Sequence, residues 1–303
     1  MTKLIAYKMP GMKKKYTGLL YILPWLIGFL AFELYPFFAS LYYSFTNYSM
    51  LKEPSFVGLQ NYINIFTKDP DFANSLKVTL TYVGIEVPAK IIFALAIALI
   101  LNQSIRGINF YRTVYYLPSI LGGSVAVSIM WRTLFMHDGL INKLLGYFSI
   151  RPVDWLGNPG IALYTVSLLG IWQFGSSMVI FLAGLKQIPL ELYEAAKVDG
   201  ASVPRRFFII TVPILTPLIF FNLVMQIISA FQAFTPAFVI TNGGPLKSTY
   251  LYGLLLYQNG FGFFKMGYAS ALSWVLFLII MAFTLLVFKS SPLWIHYEDG
   301  GDF

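Results

Sequence analysis

The fold is decided by a polar interruption between two long apolar blocks, residues 189–213, which read PLELYEAAKVDGASVPRRFFIITVP. A proline opens the stretch where a helix can begin, and residues 190–199 are rich in strong helix formers. Gly200 supplies the left-handed residue that ends a helix, and Ser202 followed by Pro204 can start another. The stretch therefore predicts a short helix, a sharp turn and a second helix outside the bilayer, a knob suited to docking into a groove of a partner.

The same stretch resembles the EAA signature of binding-protein-dependent ABC-transporter permeases. The resemblance is carried by Glu194-Ala195-Ala196, Asp199-Gly200-Ala201, Phe207 and Ile210-Thr211-Val212-Pro213, where the family has Leu in place of Val212. In that family the loop is a cytoplasmic coupling helix that enters the ATPase subunit. The resemblance implies an ATPase-coupling role for Glu194, Ala195, Ala196, Asp199, Gly200, Ala201, Arg205 and Arg206. Two alternatives stay open: the arginines could anchor the loop at the lipid surface, and the hairpin could lack a partner.

Composition places the chain in the bilayer. Hydrophobic residues make up 57% of the 303 residues and charged residues 11%, with a mean hydropathy of +0.69. A soluble domain carries about a quarter charged residues. The net charge of +8 comes from basic residues scattered in the loops between apolar spans. This distribution indicates a preference for basic residues in loops and no nucleic-acid partner. Cysteine is absent, and no disulfide or thiolate metal site is predicted.

The apolar blocks predict an all-α integral membrane protein with six transmembrane helices, and the resemblance implies the bundle of a type I ABC importer permease. Spans are expected near residues 19–41, 78–101, 114–130, 161–185, 209–234 and 266–288. Pro24 and Pro36 predict kinks in the first span, and Pro118 with Gly122-Gly123 predicts a break in the third. The chain divides into an N-terminal segment 1–16, a permease domain 17–289 with its coupling loop at about 186–208, and a tail 290–303.

Basic residues set the expected orientation. They concentrate in the N-terminal segment, which holds Lys13, Lys14 and Lys15, and in the 186–208 loop. This bias places both termini and the loop on the cytoplasmic side of a multi-pass protein of the bacterial cytoplasmic membrane. A secretory signal peptide is the alternative for the basic start, but the apolar block 19–41 is too long for a signal core.

Glu86 and Lys90 lie four residues apart on one face of the second span. Charges at that depth are costly unless they are paired or face a cavity. A mutually neutralising structural pair is the favoured interpretation. The alternative is a proton or ion site, which would make the protein a secondary transporter.

Polar and aromatic side chains within the spans are candidates for a solute path, because aromatic faces stack on sugar rings and amides bind hydroxyl groups. They are Trp172, Gln173, Asn222, Gln226, Gln232, Tyr268 and Trp274. Amides in a span also bond to neighbouring helices, which is an equal alternative. The outer turn Asn242-Gly243-Gly244-Pro245 resembles the family's external loop, which in some members inserts toward the binding protein; a plain turn is the alternative.

The chain is predicted to be a transporter subunit and no enzyme. It lacks the G-x-x-x-x-G-K-[ST] phosphate cradle, so ATP with Mg²⁺ is expected in a partner ATPase and no cofactor in this chain. The resemblance implies a second homologous permease subunit, two ATPase subunits, an extracytoplasmic solute-binding protein and alternating access. An ion-coupled transporter built on Glu86 and Lys90 is the second hypothesis, and a membrane-embedded enzyme is the third.

The expected solute is a sugar. The segment Val57-Gly58-Leu59-Gln60-Asn61-Tyr62 and the outer Asn-Gly-Gly-Pro turn resemble the oligosaccharide branch of the family. A uronic-acid or pectin-type oligosaccharide is compatible with the residues, although none of them demands it, and a non-sugar solute such as a glycerol phosphate stays open.

Overall fold

A computed structural model describes residues 14–50, 52–103 and 106–296 of the chain. In these residues the regular elements are helical, and the loop after the first span adds two isolated β-bridges, Thr46 with Phe56 and Ser49 with Lys52. The all-α prediction is confirmed. Most of the basic segment 1–16 and the end of the tail, residues 297–303, lie outside the described residues.

The helices follow one another along the chain with short connections. They are α1 Lys14–Phe29, α2 Tyr35–Ser44, α3 Gln60–Thr67, α4 Pro70–Leu101, α5 Ile108–Leu121, α6 Val125–Phe135, α7 Leu140–Tyr147, α8 Ala162–Trp172, α9 Gly175–Leu185, α10 Leu190–Val198, α11 Val203–Arg206, α12 Val212–Phe231, α13 Tyr252–Tyr257 and α14 Met266–Ser290. Single π turns lie at Leu30–Leu34, Phe207–Thr211, Ala237–Thr241 and Gln258–Gly262, and a 3₁₀ turn lies at Ser291–Leu293.

Four continuous helices and two bent pairs supply the six spans. Within the described residues, the helices long and apolar enough to cross a bilayer are Tyr21–Ser44, Pro70–Leu101, Val203–Phe231 and Met266–Leu293. The bent pairs are Ile108–Leu121 with Val125–Tyr147, at 105°, and Ala162–Trp172 with Gly175–Leu185, at 45°. The six-span fold is confirmed with each bent pair counted as one span.

The third span differs in shape from the expected helix over 114–130. α5 continues through Pro118, so the predicted break at that proline is wrong. The chain bends instead at the glycine pair, where Gly122 has φ +52°. Ser124 then caps α6, its Oγ accepting a hydrogen bond from the Val127 N–H at 3.3 Å. A left-handed glycine followed by a capping serine ends one helix and starts the next in a new direction.

The second span begins earlier than residue 78. The Asp69 side chain accepts from the Asp71 N–H at 2.8 Å, and Pro70 occupies the first helical position. This cap and proline start α4 eight residues before the apolar block that predicts the span.

The first span is irregular at a π turn. Pro24 lies inside α1, and the π turn Leu30–Leu34 directly precedes α2, whose first turn holds Pro36. Proline has no N–H to donate to the carbonyl four residues earlier, which favours a local change of helical pitch.

α4 forms the centre of the bundle. It packs against α8 and α9, against α12 and against α13, while α14 packs against α2 and α12. Small residues allow close approach: Ala94 and Ala98 are fully buried on α4, and a Cβ at Gly184 of α9 would lie 2.2 Å from Leu218 of α12. Helices in membranes associate through such small residues, because lipid provides no hydrophobic driving force between helices.

Candidate functional site

The 186–208 loop folds as a helical hairpin. Pro189 precedes α10, and the helix ends in a Schellman motif in which the Ala201 N–H donates to the Ala196 carbonyl at 2.9 Å and the Gly200 N–H donates to the Lys197 carbonyl at 3.1 Å. Gly200 has φ +75°. The predicted helix, its left-handed glycine stop and a second helix starting after Ser202 are all confirmed.

The hairpin exposes an apolar surface. Val198 is 88% exposed and Val203 69% exposed, and Glu194 and Ala195 are exposed beside them. Val198 lies outside the spans and Val203 is the first residue of the fifth span, and exposed apolar patches mark protein or membrane contacts. The geometry therefore fits a knob that enters a groove.

The hairpin is tied to the foot of a span. The Tyr193 hydroxyl of α10 and the Thr211 hydroxyl lie 2.8 Å apart in a hydrogen bond, and Thr211 is buried at the start of α12. α11 continues through the π turn Phe207–Thr211 into α12. One side-chain hydrogen bond and a continuous helix therefore connect the hairpin to α12.

The remaining residues of the predicted coupling set lie around the same turn. Asp199 and Arg205 are exposed, whereas Ala196, Ala201 and Arg206 are partly buried. The Arg206 Nε is buried and has no hydrogen-bond partner among the described residues.

A second site is a polar cavity of about 310 Å³ within the bundle. The Lys90 Nζ and the Glu86 Oε1 form an ion pair at 3.4 Å on its wall, and both side chains are largely buried. The Glu86 Oε2 has no hydrogen-bond partner among the described residues. Gly170 of α8 makes room for the carboxylate, since a Cβ there would lie 2.3 Å from Oε1. The pair therefore faces a cavity and is not sealed between helices.

The cavity lies where two spans break. The Gln173 Nε2 donates to the Gly122 carbonyl at 2.7 Å, and the Ser119 Oγ donates to the Gln173 carbonyl at 3.0 Å. These bonds join the break of the fourth span to the break of the third. Gln232, at the end of α12, lines the opposite wall with Ser229 and Thr235. Backbone groups freed by broken helices thus surround a polar space at membrane depth.

Comparison with known proteins decides the family. The family of binding-protein-dependent transport system inner membrane components matches residues 90–291. The chain belongs to this family.

Two relatives and a solved structure are similar to the chain over at least 90% of its length. The permease is 54% identical to the probable ABC transporter permease protein YesP of Bacillus subtilis (strain 168), over 95% of this chain and 94% of that protein. It is 32% identical to the trehalose/maltose transport system permease protein MalF of Thermococcus litoralis, over 90% and 92% of the two chains. A chain of a bacterial ABC transporter involved in alginate import shares the fold, with a TM-score of 0.79 and 23% identity over 92% and 96% of the chains.

The other solute-path candidates of the permease do not line this cavity. Asn222 is buried and donates to the Leu218 carbonyl within its own helix, and Gln226 donates to the Ser177 hydroxyl at 3.2 Å. Trp172 packs on Trp131, with ring centroids 5.7 Å apart. A solute role for these three residues stays a prediction, as it does for Gln173 and Gln232 in the cavity.

Tyr268 and Trp274 lie on α14, away from the cavity. The Tyr268 hydroxyl donates to Asp69, and the Trp274 Nε1 donates to the Ser40 hydroxyl at 3.2 Å. Both bonds attach α14 to segments that precede it by about 200 residues in the chain. The two side chains therefore have a structural role in the bundle. Their predicted solute contacts are untested.

The Asn242-Gly243-Gly244-Pro245 turn is a tightly bonded loop. Asn242 and Gly243 have positive φ, and the Thr249 hydroxyl donates to the Gly244 carbonyl at 2.7 Å. The turn presents Leu246, which is 90% exposed. Its predicted role in facing the binding protein stays a prediction.

An outer cleft of about 770 Å³, between the loop after the first span and the segment 247–268, was not anticipated from sequence. An ion pair between Lys247 and Asp71 closes one side of it. Burial, with the negative charges of Asp71 and Asp69, raises the pKa of Tyr250 to about 12, and its hydroxyl donates to Gln258. The partners come from opposite halves of the chain, and no local sequence signal joins them.

Proposed function

We propose that the permease carries sugars, oligosaccharides above all, across the bacterial cytoplasmic membrane as one subunit of an ATP-driven importer. The observation that carries the proposal is the exposed hairpin of the 186–208 loop, tethered to α12. The other subunits would be a second homologous permease, two ATPase subunits that bind ATP with Mg²⁺, and an extracytoplasmic solute-binding protein.

The hairpin would transmit the ATPase cycle to the spans. ATP binding closes the ATPase dimer and moves the docked hairpin, and the Tyr193 to Thr211 bond and the continuous helix carry that movement into α12. Because α12 packs against α4 and both contribute to the wall of the polar cavity, the cavity opens to one side and then to the other. This is alternating access, with the termini and the hairpin on the cytoplasmic side.

The polar cavity supports a path for a hydroxyl-rich solute. The amides of Gln173 and Gln232 and the ion pair of Glu86 and Lys90 line a space of about 310 Å³, which is enough for part of a sugar chain at a time. Polar groups are costly at this depth unless they serve a solute or a neighbouring helix. The names of the relatives, trehalose and maltose for one and arabinooligosaccharides for another, support a carbohydrate.

Co-purification tests the proposal. The tagged permease, isolated in mild detergent from native membranes, should bring down an ATPase subunit and a second permease with ATPase activity. A Glu194→Lys variant should keep the second permease but lose the ATPase, because it places a cation at the centre of the exposed hairpin. Isolation of a homogeneous permease with no ATPase would overturn the proposal.

A further inference from the structure

Glu33 is a carboxylate at the centre of the first span. The span covers Tyr21–Ser44, 24 residues, and Glu33 lies 12 residues after its start and 11 before its end. At a rise of about 1.5 Å per residue the carboxylate is roughly 17 Å from either end. A glutamate side chain cannot reach water over that distance.

Glu33 has no partner in the part of the permease that the structure describes. The side chain is exposed, and among the described residues no hydrogen bond or ion pair reaches it. Its neighbours on the span are apolar and bare, with Phe32 81% exposed and Tyr35 71% exposed. The first span packs chiefly against α14, through contacts such as Phe37 on Trp274. Glu86, an acidic side chain well inside the second span, is by contrast buried and paired with Lys90.

The backbone at Glu33 is irregular as well. The residue lies inside the π turn Leu30–Leu34, which inserts an extra residue into the helix and turns the following side chains. Such turns occur frequently at functional sites. The exposed carboxylate and the π turn are independent observations at one position.

Lipid cannot satisfy this group. Acyl chains carry no hydrogen-bond donor or acceptor, and both a carboxylate and a carboxylic acid need one. Acidic residues in spans almost always face a bundle interior or a water-filled cavity, and they pair there. Among the described residues of the permease nothing pairs with Glu33, and we look for its cover in another molecule.

We propose that Glu33 lies in the interface with the second permease subunit, where an N–H donor on a transmembrane helix of that subunit (Arg, Lys, Asn or Gln) bonds to its carboxyl group. The ATPase and the binding protein are excluded as the cover, because neither enters the centre of a bilayer. The inference rests on the proposed function for the existence of a second permease. Within that assembly it assigns the Glu33 face of the first span, and the contact of its carboxyl group, to the second permease.

Assembly with the second permease is the first test. The tagged permease is co-expressed with its partner subunits as wild type, Glu33→Leu, Glu33→Gln and, as a control at the same depth, Phe32→Leu. We expect Glu33→Leu to lower the amount of second permease recovered per tagged chain by at least fivefold, while Phe32→Leu recovers the wild-type amount. Glu33→Gln, which keeps an acceptor but loses the charge, should recover more than Glu33→Leu. Insertion of the Glu33→Leu chain should not fall, since leucine is favoured at the bilayer centre. Equal recovery for Glu33→Leu and wild type would overturn the inference.

Chemical labelling gives a second readout. A hydrophobic carbodiimide reacts with carboxyl groups within the bilayer, and mass spectrometry locates the adduct. Glu33 should be labelled in membranes that contain the permease alone and protected in the full complex. Equal labelling in both, or protection by the permease alone at high expression, would contradict a contact with the second subunit.

Failure of the inference is distinguishable from failure of the proposed function. If the wild-type permease recovers no second permease and no ATPase, the proposed function itself is wrong. If the wild type recovers both and Glu33→Leu recovers them equally, only the assignment of Glu33 to the interface is wrong.

Discussion

At the scale of single residues, the sequence predicted the pairing of Glu86 and Lys90 but not the surroundings of the pair. Spacing alone indicated one helical face and left a structural pair and a functional site open. The structure adds the Glu86 Oε2, buried without a partner beside a polar cavity. That oxygen could not be predicted, because its surroundings come from α8 and from residues after α12.

We predict that neutralising one member of the pair damages folding and that neutralising both restores it. Glu86→Gln or Lys90→Met leaves a buried charge unpaired, which costs about 3–5 kcal/mol and lowers the yield of folded permease. The double variant leaves no charge and should recover the yield. Its KM for uptake should rise by roughly 10- to 150-fold, because a charged acceptor worth roughly 1.5–3 kcal/mol is lost from the path.

Yield by size-exclusion chromatography and uptake in proteoliposomes measure the two effects. Ser167→Ala, a buried serine that bonds only to its own helix, is the control and should change neither. A double variant that folds no better than the single ones would contradict the pairing. An unchanged KM would remove Glu86 from the solute path.

At the scale of elements, the 186–208 hairpin was predictable because its signals are local. Helix formers, a glycine stop and a Ser-x-Pro start lie within a few residues of one another, and each acts through its own backbone. The bends of the third and fourth spans were harder. The glycine pair signalled the first, but the bond from Gln173 to Gly122 joins residues 51 apart in the chain, and only the folded structure reveals it.

We predict that Gly200 tolerates only residues that accept its left-handed conformation. Gly200→Pro should abolish transport with membrane insertion intact, since proline fixes φ near −65° and removes the N–H that bonds to Lys197. Gly200→Ala should retain part of the activity, because left-handed backbone costs an alanine about 1–2 kcal/mol. Gly200→Asn should transport well, as asparagine visits this region readily.

ATP-driven uptake and the ratio of ATPase to permease in the purified complex report the outcome. Wild-type uptake by the Gly200→Pro variant would show that the hairpin turn has no part in coupling.

At the scale of the whole molecule, composition and hydropathy determined most of the architecture. The 57% hydrophobic content and six apolar blocks led to the observed all-α bundle, and the family match agrees with it. Contacts between distant segments could not be predicted from the sequence. The outer cleft, for example, depends on an ion pair between Asp71 and Lys247, which are 176 residues apart in the chain. Glu33 was visible in the sequence as a charge within a span, but its exposure is a property of the packed bundle.

The central claim is that the 186–208 hairpin binds the ATPase subunit, and site-specific photocrosslinking tests it most directly. A photoreactive amino acid is placed at Val198, 88% exposed on the hairpin, or at Leu246, 90% exposed on the outer turn. In membranes that contain the whole transporter, we predict that the ATPase subunit crosslinks to position 198 and not to position 246. An ATPase adduct at 246, or none at 198 in a complex that hydrolyses ATP, would contradict the account.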